Sequence, residues 1–476
     1  MKLVKNIATN ASALTISRIV GQILSAFASI LLVRYLGTTK LGEFSFVYTY
    51  LSFFTILSSF GIDNIIIREI SQDKEKAGVF IGNALVLRLV FSVFSILLSW
   101  LFLRILKCPL NTTILVYLAS LEMLLSFKSI YSLVFNIELK LYYQAVIQIS
   151  SGLIDALLTI IFIWLKGDLI IFILISIFVA LCELLANRYF SRKLIKPIFS
   201  INLNIWRYLV KEGWPLGLTY FFVIIYFRID QIMIYKLAGV NLLGLYSVSV
   251  KITEYLHIIP DSFMVSIFPV MAAQFNSDKE YFRRVYFLSA KYLLMLVWPM
   301  ATFLSFYSEK IFSLLFGQEF ISSAYTFSIL IWSLVFVFTG ALGNKVIISI
   351  GRQKIDALIT FIASIINIVL NFIFIPIWGI NGAAWATVIS YGSSSIVTYL
   401  IPYLREYVVT QIKVSIKPVF CSLLLFVILV LFVKNNMILG IIVSPVIYIV
   451  SMIFVGGLDK EDFHQFKKLI YIKKKQ

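Results

Sequence analysis

The stretch VFIGNALVLRLVFSVFSILLSWLFL, residues 79–103, contains one charged side chain, Arg88. A helix needs about 20 consecutive apolar residues to cross the hydrocarbon core of a bilayer. This stretch is long enough and apolar enough to do so. It is therefore predicted to be a transmembrane helix.

The rest of the chain has the same character. Of its 476 residues, 61% are hydrophobic and 13% are charged, whereas soluble domains are about 45–50% apolar. Apolar runs separated by charged or turn residues predict fourteen crossings and leave almost nothing for a soluble catalytic domain. The predicted spans are residues 11–35, 43–67, 79–103, 112–136, 142–165, 169–190, 212–236, 242–272, 285–307, 320–343, 355–377, 380–403, 412–433 and 437–456.

The basic residues orient these spans. The formal net charge is +18, from 41 Lys and Arg against 23 Asp and Glu. If the N-terminus is inside, 27 basic residues fall on inside segments and 7 on outside segments. Because cytoplasmic loops accumulate Lys and Arg, this bias predicts an even number of spans with both termini in the cytoplasm. The excess charge is thereby explained, and no nucleic-acid partner is predicted.

A weak internal repeat divides the chain. Gly42-Glu43-Phe44-Ser45 opens the second span and Gly244-Leu245-Tyr246-Ser247 opens the eighth. The sequence predicts two six-helix lobes around a central cavity plus two additional C-terminal helices, and repeated transporters bind substrate between their halves. The predicted domains are an N-terminal lobe (1–195), a C-terminal lobe (196–405), spans 13 and 14 (406–457) and a basic cytoplasmic tail (458–476).

Several basic residues fall inside predicted spans. A charge at the bilayer centre costs about 2.5–3.5 kcal/mol on insertion scales, so these residues need an explanation. They either form buried ion pairs that hold helices together or line a wet, cationic cavity for an anionic substrate. We favour the cavity for five of them as a group: Arg18, Arg88, Arg228, Lys251 and Lys291.

Acidic residues share these spans. Lys251, Glu254 and Asp261 are spaced to lie on one face of a continuous eighth helix. Prolines in spans 8 and 9, at positions 260, 269 and 299, are predicted to bend their helices and are candidates for compliant points. The candidates for ion coupling are Asp63, Asp155, Glu254 and His257.

Motifs of catalysis are missing from the sequence. It contains no Walker-type phosphate loop, no Gly-x-Ser-x-Gly elbow and no His-Glu-x-x-His motif. Its three cysteines and two histidines have no metal-ligand spacing. We therefore predict a protein that is not an enzyme and that uses no metal or cofactor.

Short segments in a fixed order resemble the polysaccharide flippases of the Wzx type, which share a superfamily with multidrug MATE exporters and lipid II flippases. The similarity runs over most of the chain. The segments are LVRYLG (32–37), LGEFS (41–45), GIDN (61–64), REI (68–70), WP (214–215), YFRID (226–230), GLYS (244–247) and WGINGAA (378–384).

This resemblance implies a carrier that works by alternating access. Its substrate would be an oligosaccharide repeat unit on polyprenyl pyrophosphate, flipped from the cytoplasmic to the periplasmic leaflet of the bacterial cytoplasmic (inner) membrane. The product would be O-antigen, capsule or a teichuronic-type glycan, and polymerase or chain-length proteins would be partners. Basic cavity residues would bind the pyrophosphate, and a monomer would suffice. A lipid II flippase and a MATE-like antiporter remain alternatives.

Overall fold

The protein is built from helices. The computed structural model describes residues 2–275, 277–434, 436–458 and 462, with side chains described at residue 21 and from residue 23 onward. All regular elements in these ranges are helical, which confirms the predicted all-α class. The α-helices are α1 (Lys2–Ser59), α2 (Ile62–Gln72), α3 (Ala77–Leu106), α4 (Leu110–Ser120), α5 (Lys128–Ile137), α6 (Leu141–Trp164), α7 (Leu169–Arg192), α8 (Leu203–Leu237), α9 (Val240–Tyr255), α10 (Ile258–Gln274), α11 (Lys279–Phe306), α12 (Ser308–Phe316), α13 (Ile321–Leu330), α14 (Ser333–Ser349), α15 (Gln353–Leu400), α16 (Arg405–Ile428) and α17 (Met437–Phe454).

Glycine bends account for the number of crossings. Within the described residues, eleven helical segments are long and apolar enough to cross a membrane, and the bent pair of α13 and α14 makes a twelfth. Two of these segments contain a glycine with non-helical backbone, Gly37 (φ 66°, ψ 179°) and Gly379 (φ 57°, ψ −135°). Such positive φ angles are open to glycine without a Cβ penalty. Each of these two segments therefore forms two crossings, and the predicted total of fourteen is confirmed.

Helix α3 shows what surrounds these crossings. Arg88, Ser92, Ser95 and Ser99 are buried, and their spacing of three or four residues places them on one face. The other face is apolar and exposed, the reverse of a soluble protein, in which large apolar patches are rare. An exposed apolar face of this kind is typical of a helix that contacts lipid. The exposed residues include Leu89, Val90, Val93, Phe94, Leu97 and Leu101.

The eighth crossing is interrupted next to Pro260, one of the three prolines that we predicted to bend their helices. Helix α9 ends before His257, whose amide donates to the carbonyl oxygen of Glu254 at 3.0 Å, a bond three residues back rather than four. Pro260 follows in the first turn of α10 and offers no amide donor. The predicted face of Lys251, Glu254 and Asp261 assumed an unbroken helix. The break removes the basis for including Asp261.

Contacts divide the chain into two compact units. The first comprises residues 1–248 and 371–380. In it α1 packs against α6, α3 and α8, and α2 packs against α8. Its core includes the buried side chains of Ile62, Ile81 and Leu209, which come from α2, α3 and α8. The start of α8 therefore packs with the helices that precede it.

The segment before α8, residues 198–202, forms a strap that is hydrogen-bonded to α3 within this first unit. The amide of Ile198 donates to the carbonyl oxygen of Gly78 at 2.8 Å. The side chain of Asn83, which is buried, accepts from the amide of Asn202 at 2.8 Å and donates to the Ser200 hydroxyl at 3.1 Å. The chain between α7 and α8 is thus fixed to α3 by hydrogen bonds.

The second unit comprises residues 249–370 and 381–476. Helix α11 packs against α16 and α14, and α10 packs against α14. At the centre, Gln411 donates to the Tyr286 hydroxyl at 2.8 Å, and that hydroxyl donates to the carbonyl oxygen of Tyr407 at 3.3 Å. The domain boundaries that we predicted stay predictions, and the tail of residues 458–476 lies outside the described residues except for 458 and 462.

Candidate substrate site

The candidate site is built around Arg88, because it has an acidic partner among the predicted residues. The side chain of Arg18 lies outside the described residues. In the first unit, Asp155 on α6 and Arg228 on α8 are half-buried. In the second unit, the predicted residues are Lys251, Glu254, His257 and Lys291.

Arg88 and Asp63 form an ion pair. The Nη1 of Arg88 donates to Oδ1 of Asp63 at 2.5 Å, and the exposed fractions of the two side chains are 6% and 32%. Asp63 lies in the first turn of α2, where the helix dipole favours a negative charge. The Nε of Arg88 is buried and finds no hydrogen-bond partner among the described residues. The guanidinium therefore keeps a donor that Asp63 does not use.

A glycine break fixes the position of Asp63. Gly61, with φ 71°, separates α1 from α2. A Cβ on Gly61 would lie 2.7 Å from the carbonyl oxygen of Gly213, and a Cβ on Gly213 would lie 2.8 Å from that of Phe60. Helix α8 thus passes the break backbone to backbone, which glycine allows because it has no side chain.

The far end of α2 is tied to α8 by polar side chains. Arg68 donates to the Tyr208 hydroxyl at 2.8 Å and to Glu212 at 3.3 Å. Tyr208 in turn donates to Glu69 at 2.8 Å. Exposed ion pairs contribute about 0–1 kcal/mol each, so this network orients α2 more than it stabilises the fold.

The two repeated Gly-x-aromatic-Ser segments contact each other. A Cβ on Gly42 would clash with the backbone carbonyl of Val240, and a Cβ on Gly244 would clash with that of Thr38. The contact is reciprocal, as the repeat leads one to expect. It gives a packing reason for glycine at both positions.

Asp230 lies in a buried polar network. It accepts from the Tyr246 hydroxyl at 2.5 Å and from the amide of Gln231 at 2.7 Å. The side chain of Gln231 accepts from the Thr49 hydroxyl at 2.8 Å. Buried polar groups require such partners, so we assign Asp230 a structural role.

Another ion pair of the first unit joins α5 to α7. The Nζ of Lys128 donates to Oε2 of Glu183 at 2.6 Å, and both side chains are half-buried. Neither residue was a candidate for the site. Its nitrogen–oxygen distance is similar to that of the Asp63–Arg88 pair, so the Lys128–Glu183 pair is a suitable control for it.

In the second unit, Lys291 is paired with a residue that sequence reasoning missed. Its Nζ donates to Oδ2 of Asp462 at 2.6 Å, and the Tyr292 hydroxyl donates to Oδ1 at 2.8 Å. The exposed fractions are 15% for Lys291 and 4% for Asp462. The two residues are 171 positions apart, so no local pattern could connect them.

The remaining candidates of the second unit lie near the break of the eighth crossing. Lys251 and Glu254 are half-buried on α9, and His257 lies at the turn before α10. In the part of the chain that the structure describes, no group of three or more His, Cys, Asp or Glu side chains could hold a metal ion.

Fourteen crossings with charged side chains among them define a polytopic membrane protein. A family model described as polysaccharide biosynthesis protein matches residues 7–275, more than half of the chain. The chain belongs to this polysaccharide biosynthesis protein family. A second model, MatE, matches residues 215–373.

Two relatives and a solved structure are similar to this chain. An uncharacterized membrane protein of Methanocaldococcus jannaschii is 27% identical over 206 residues, which are 42% of this chain and 38% of that protein. A probable low-salt glycan biosynthesis flippase of Haloferax volcanii is 22% identical over 395 residues, 82% of each chain. A lipid II flippase in an inward-closed conformation has a TM-score of 0.75 at 16% identity and covers 93% of this chain and 98% of its own. At that identity the similarity establishes the fold.

Proposed function

We propose that this protein is a flippase for polyprenyl-pyrophosphate-linked oligosaccharide repeat units. It moves them from the cytoplasmic to the periplasmic leaflet for surface polysaccharide synthesis and performs no chemistry on the sugar. The observation that carries the proposal is the family match over residues 7–275. The glycan flippase relative, similar over 82% of both chains, supports it.

In this proposal Arg88 binds the pyrophosphate. A guanidinium matches phosphate oxygens with two parallel donors, which a lysine cannot do. Arg88 is buried within a crossing, where a charge-assisted hydrogen bond is stronger than in water. Arg228 and Lys251 stay proposed substrate-binding residues.

In the same proposal, Asp63 occupies the guanidinium of Arg88 when no substrate is bound. Its carboxylate holds Arg88 when the carrier is empty, so the empty carrier returns without an unpaired charge inside a span. Substrate competes with Asp63 for the guanidinium. Once displaced, Asp63 has room to turn away, because a third of its side chain is exposed, or it takes up a proton. Asp155, Glu254 and His257 remain proposed coupling groups.

Two other functions follow from particular observations. The similarity of fold to a lipid II flippase over 93% of this chain favours lipid II as a second candidate substrate. The MatE match over residues 215–373 favours a MATE-like antiporter. The proposed orientation, with both termini inside, rests on the charge bias. The proposed placement in the bacterial cytoplasmic membrane rests on the resemblance to Wzx-type flippases, and both are common to all three functions.

The test is a conditional depletion in the native host, followed by mass spectrometry of polyprenyl-linked glycans. We expect complete repeat units to accumulate while surface polysaccharide disappears, and the wild-type gene to reverse both changes. Accumulation of lipid II would establish the cell-wall alternative instead. Unchanged glycan pools with a new sensitivity to cationic drugs would overturn the proposal in favour of an antiporter.

A further inference from the structure

A cavity lies in the second unit, at the ends of its helices. It has a volume of about 310 Å³ and is formed by the end of α10, the start of α11, the turn between α14 and α15, the turn between α15 and α16, and the start of α16. Small-molecule sites usually have volumes of about 300–1,000 Å³. The cavity is therefore large enough for a small head group.

Its charges favour an anion. Lys279, Arg283, Arg352 and Glu406 all line it. Arg283 donates to Glu406 at 2.8 Å, whereas Lys279 and Arg352 have no carboxylate partner among the described residues. Three cations against one carboxylate leave an excess of two positive charges for a ligand to neutralise.

The cavity also has aromatic walls. The guanidinium of Arg352 lies 4.8 Å from the ring centre of Tyr403, a cation–π contact that holds it in place. The ring of Phe282 meets those of Phe275 and Tyr407 edge-on, at 5.2 and 6.2 Å. A ligand that fits both features has an anionic group beside an apolar part.

The position of the cavity indicates where such a ligand comes from. Helix α11 begins at Lys279, α14 ends at Ser349 and α16 begins at Arg405, so the cavity opens at the ends of crossings, where lipid head groups lie. The charge bias assigns this side to the cytoplasm. Basic pockets between transmembrane helices on that side are suited to acidic head groups.

We infer that this cavity binds the phosphate of an anionic phospholipid of the cytoplasmic leaflet. Lys279 and Arg352 contact the phosphate, and the Phe282 wall packs against the glycerol and the first carbons of the chain. The inference does not depend on which substrate the protein carries, because no residue of the candidate substrate site lines the cavity.

The test measures binding of phosphatidylglycerol and phosphatidylcholine to the purified full-length protein by native mass spectrometry. We expect phosphatidylglycerol to bind more tightly, and the double variant Lys279→Gln/Arg352→Gln to weaken its binding by about tenfold. The matched control is Arg284→Gln/Lys354→Gln, which removes two exposed neighbouring charges that do not line the cavity. Glu406→Gln should strengthen binding several-fold, because it releases Arg283.

Competition separates the two sources of phosphate. Millimolar glycerol phosphate should leave phosphatidylglycerol bound if the lipid is the ligand. If glycerol phosphate itself binds with the same dependence on Lys279 and Arg352, the phosphate site stands but its ligand is soluble. Equal losses in the cavity variant and its control, or no loss in the cavity variant, overturn the inference. All variants must elute and unfold like the wild type.

Discussion

Two ion pairs in this molecule look alike by distance and differ in which partner is buried. In Asp63–Arg88 the arginine is the deeper partner and the carboxylate is partly exposed. In Lys291–Asp462 the carboxylate is the deeper partner, and Tyr292 holds it as well. A carboxylate that is partly exposed has room to leave its cation to a substrate, whereas a locked carboxylate does not. Burial, rather than distance, separates a candidate binding group from an anchor.

The largest effect is expected from the double variant Asp63→Asn/Arg88→Gln. Removing one partner of a buried pair costs about 3–5 kcal/mol, so Asp63→Asn, which strands the deeper Arg88, should destabilise more than Arg88→Gln. The double variant should recover most of the thermal stability. Its transport should still fall at least about tenfold, because hydrogen bonds to charged groups contribute about 1.5–3 kcal/mol. Thermal unfolding and glycan accumulation measure the two effects.

The control for this prediction is Lys128→Gln/Glu183→Gln, which neutralises a pair of similar distance in the same unit. It should keep more than half of the wild-type transport. Full transport by the stable Asp63→Asn/Arg88→Gln protein would reduce Arg88 to a structural residue and remove the contrast with Lys291.

The anchor role of the other pair predicts the opposite pattern. Lys291→Met alone should cost about 3–5 kcal/mol, because it strands a buried carboxylate. Lys291→Met/Asp462→Leu should restore thermal stability, since apolar replacements of a buried pair are often neutral, and should keep transport near the wild-type level. A stable double variant that fails to transport would show that Lys291 contacts substrate.

A third variant examines why Asp63 stays in place. Gly213→Ala puts a methyl group against the carbonyl of Phe60 and should cost about 1–3 kcal/mol, as overpacking does. Gly152→Ala is the control, because nothing lies within 4 Å of its added carbon; it should be neutral or stabilise by up to about 1 kcal/mol. Equal melting temperatures for the two variants would contradict the close packing at the break.

The smallest effect concerns an exposed pair. Lys40 donates to Asp168 at 2.7 Å, and this hydrogen bond lowers the pKa of Asp168 below its ordinary value. The pair therefore stabilises the fold above the ordinary pKa of about 4 and loses its effect as the pH falls through the lower folded-state pKa. Asp168→Asn should cost under about 1 kcal/mol at pH 7, and this cost should shrink as the medium is acidified, as melting temperatures would show. A cost that grows on acidification would contradict this sign.

The sequence predicts the crossings well because lipid imposes a length and a polarity on each one. The correspondence of Gly42 and Gly244 is also predictable from sequence, because both begin a Gly-x-aromatic-Ser segment. The interruption at Pro260 is predictable too, because a proline has no amide donor. Its effect on the shared face of Lys251, Glu254 and Asp261 is harder to predict, since a proline in the first turn of a helix and a proline in mid-helix look the same in sequence.

Partners within the site are not readable from local patterns. Asp63 and Arg88 are 25 positions apart, and the sequence suggests a separate role for each. Their pairing depends on how α2, α3 and α8 pack around the glycines. Asp462 follows the last crossing, in a tail whose 19 residues include six lysines and three acidic residues, and only folding brings it to Lys291.

The strap between α7 and α8 has a consequence for biosynthesis. Asn83 leaves the ribosome 119 residues before Asn202, so its amide has no strap to bind while six crossings enter the membrane. A nascent chain that ends before residue 198 contains every helix of the first six crossings. It still lacks the residues that form hydrogen bonds with Gly78 and Asn83 of α3. The first six crossings therefore do not contain all the residues that pack with them. The segment that forms hydrogen bonds with α3 is translated at the start of the predicted C-terminal lobe.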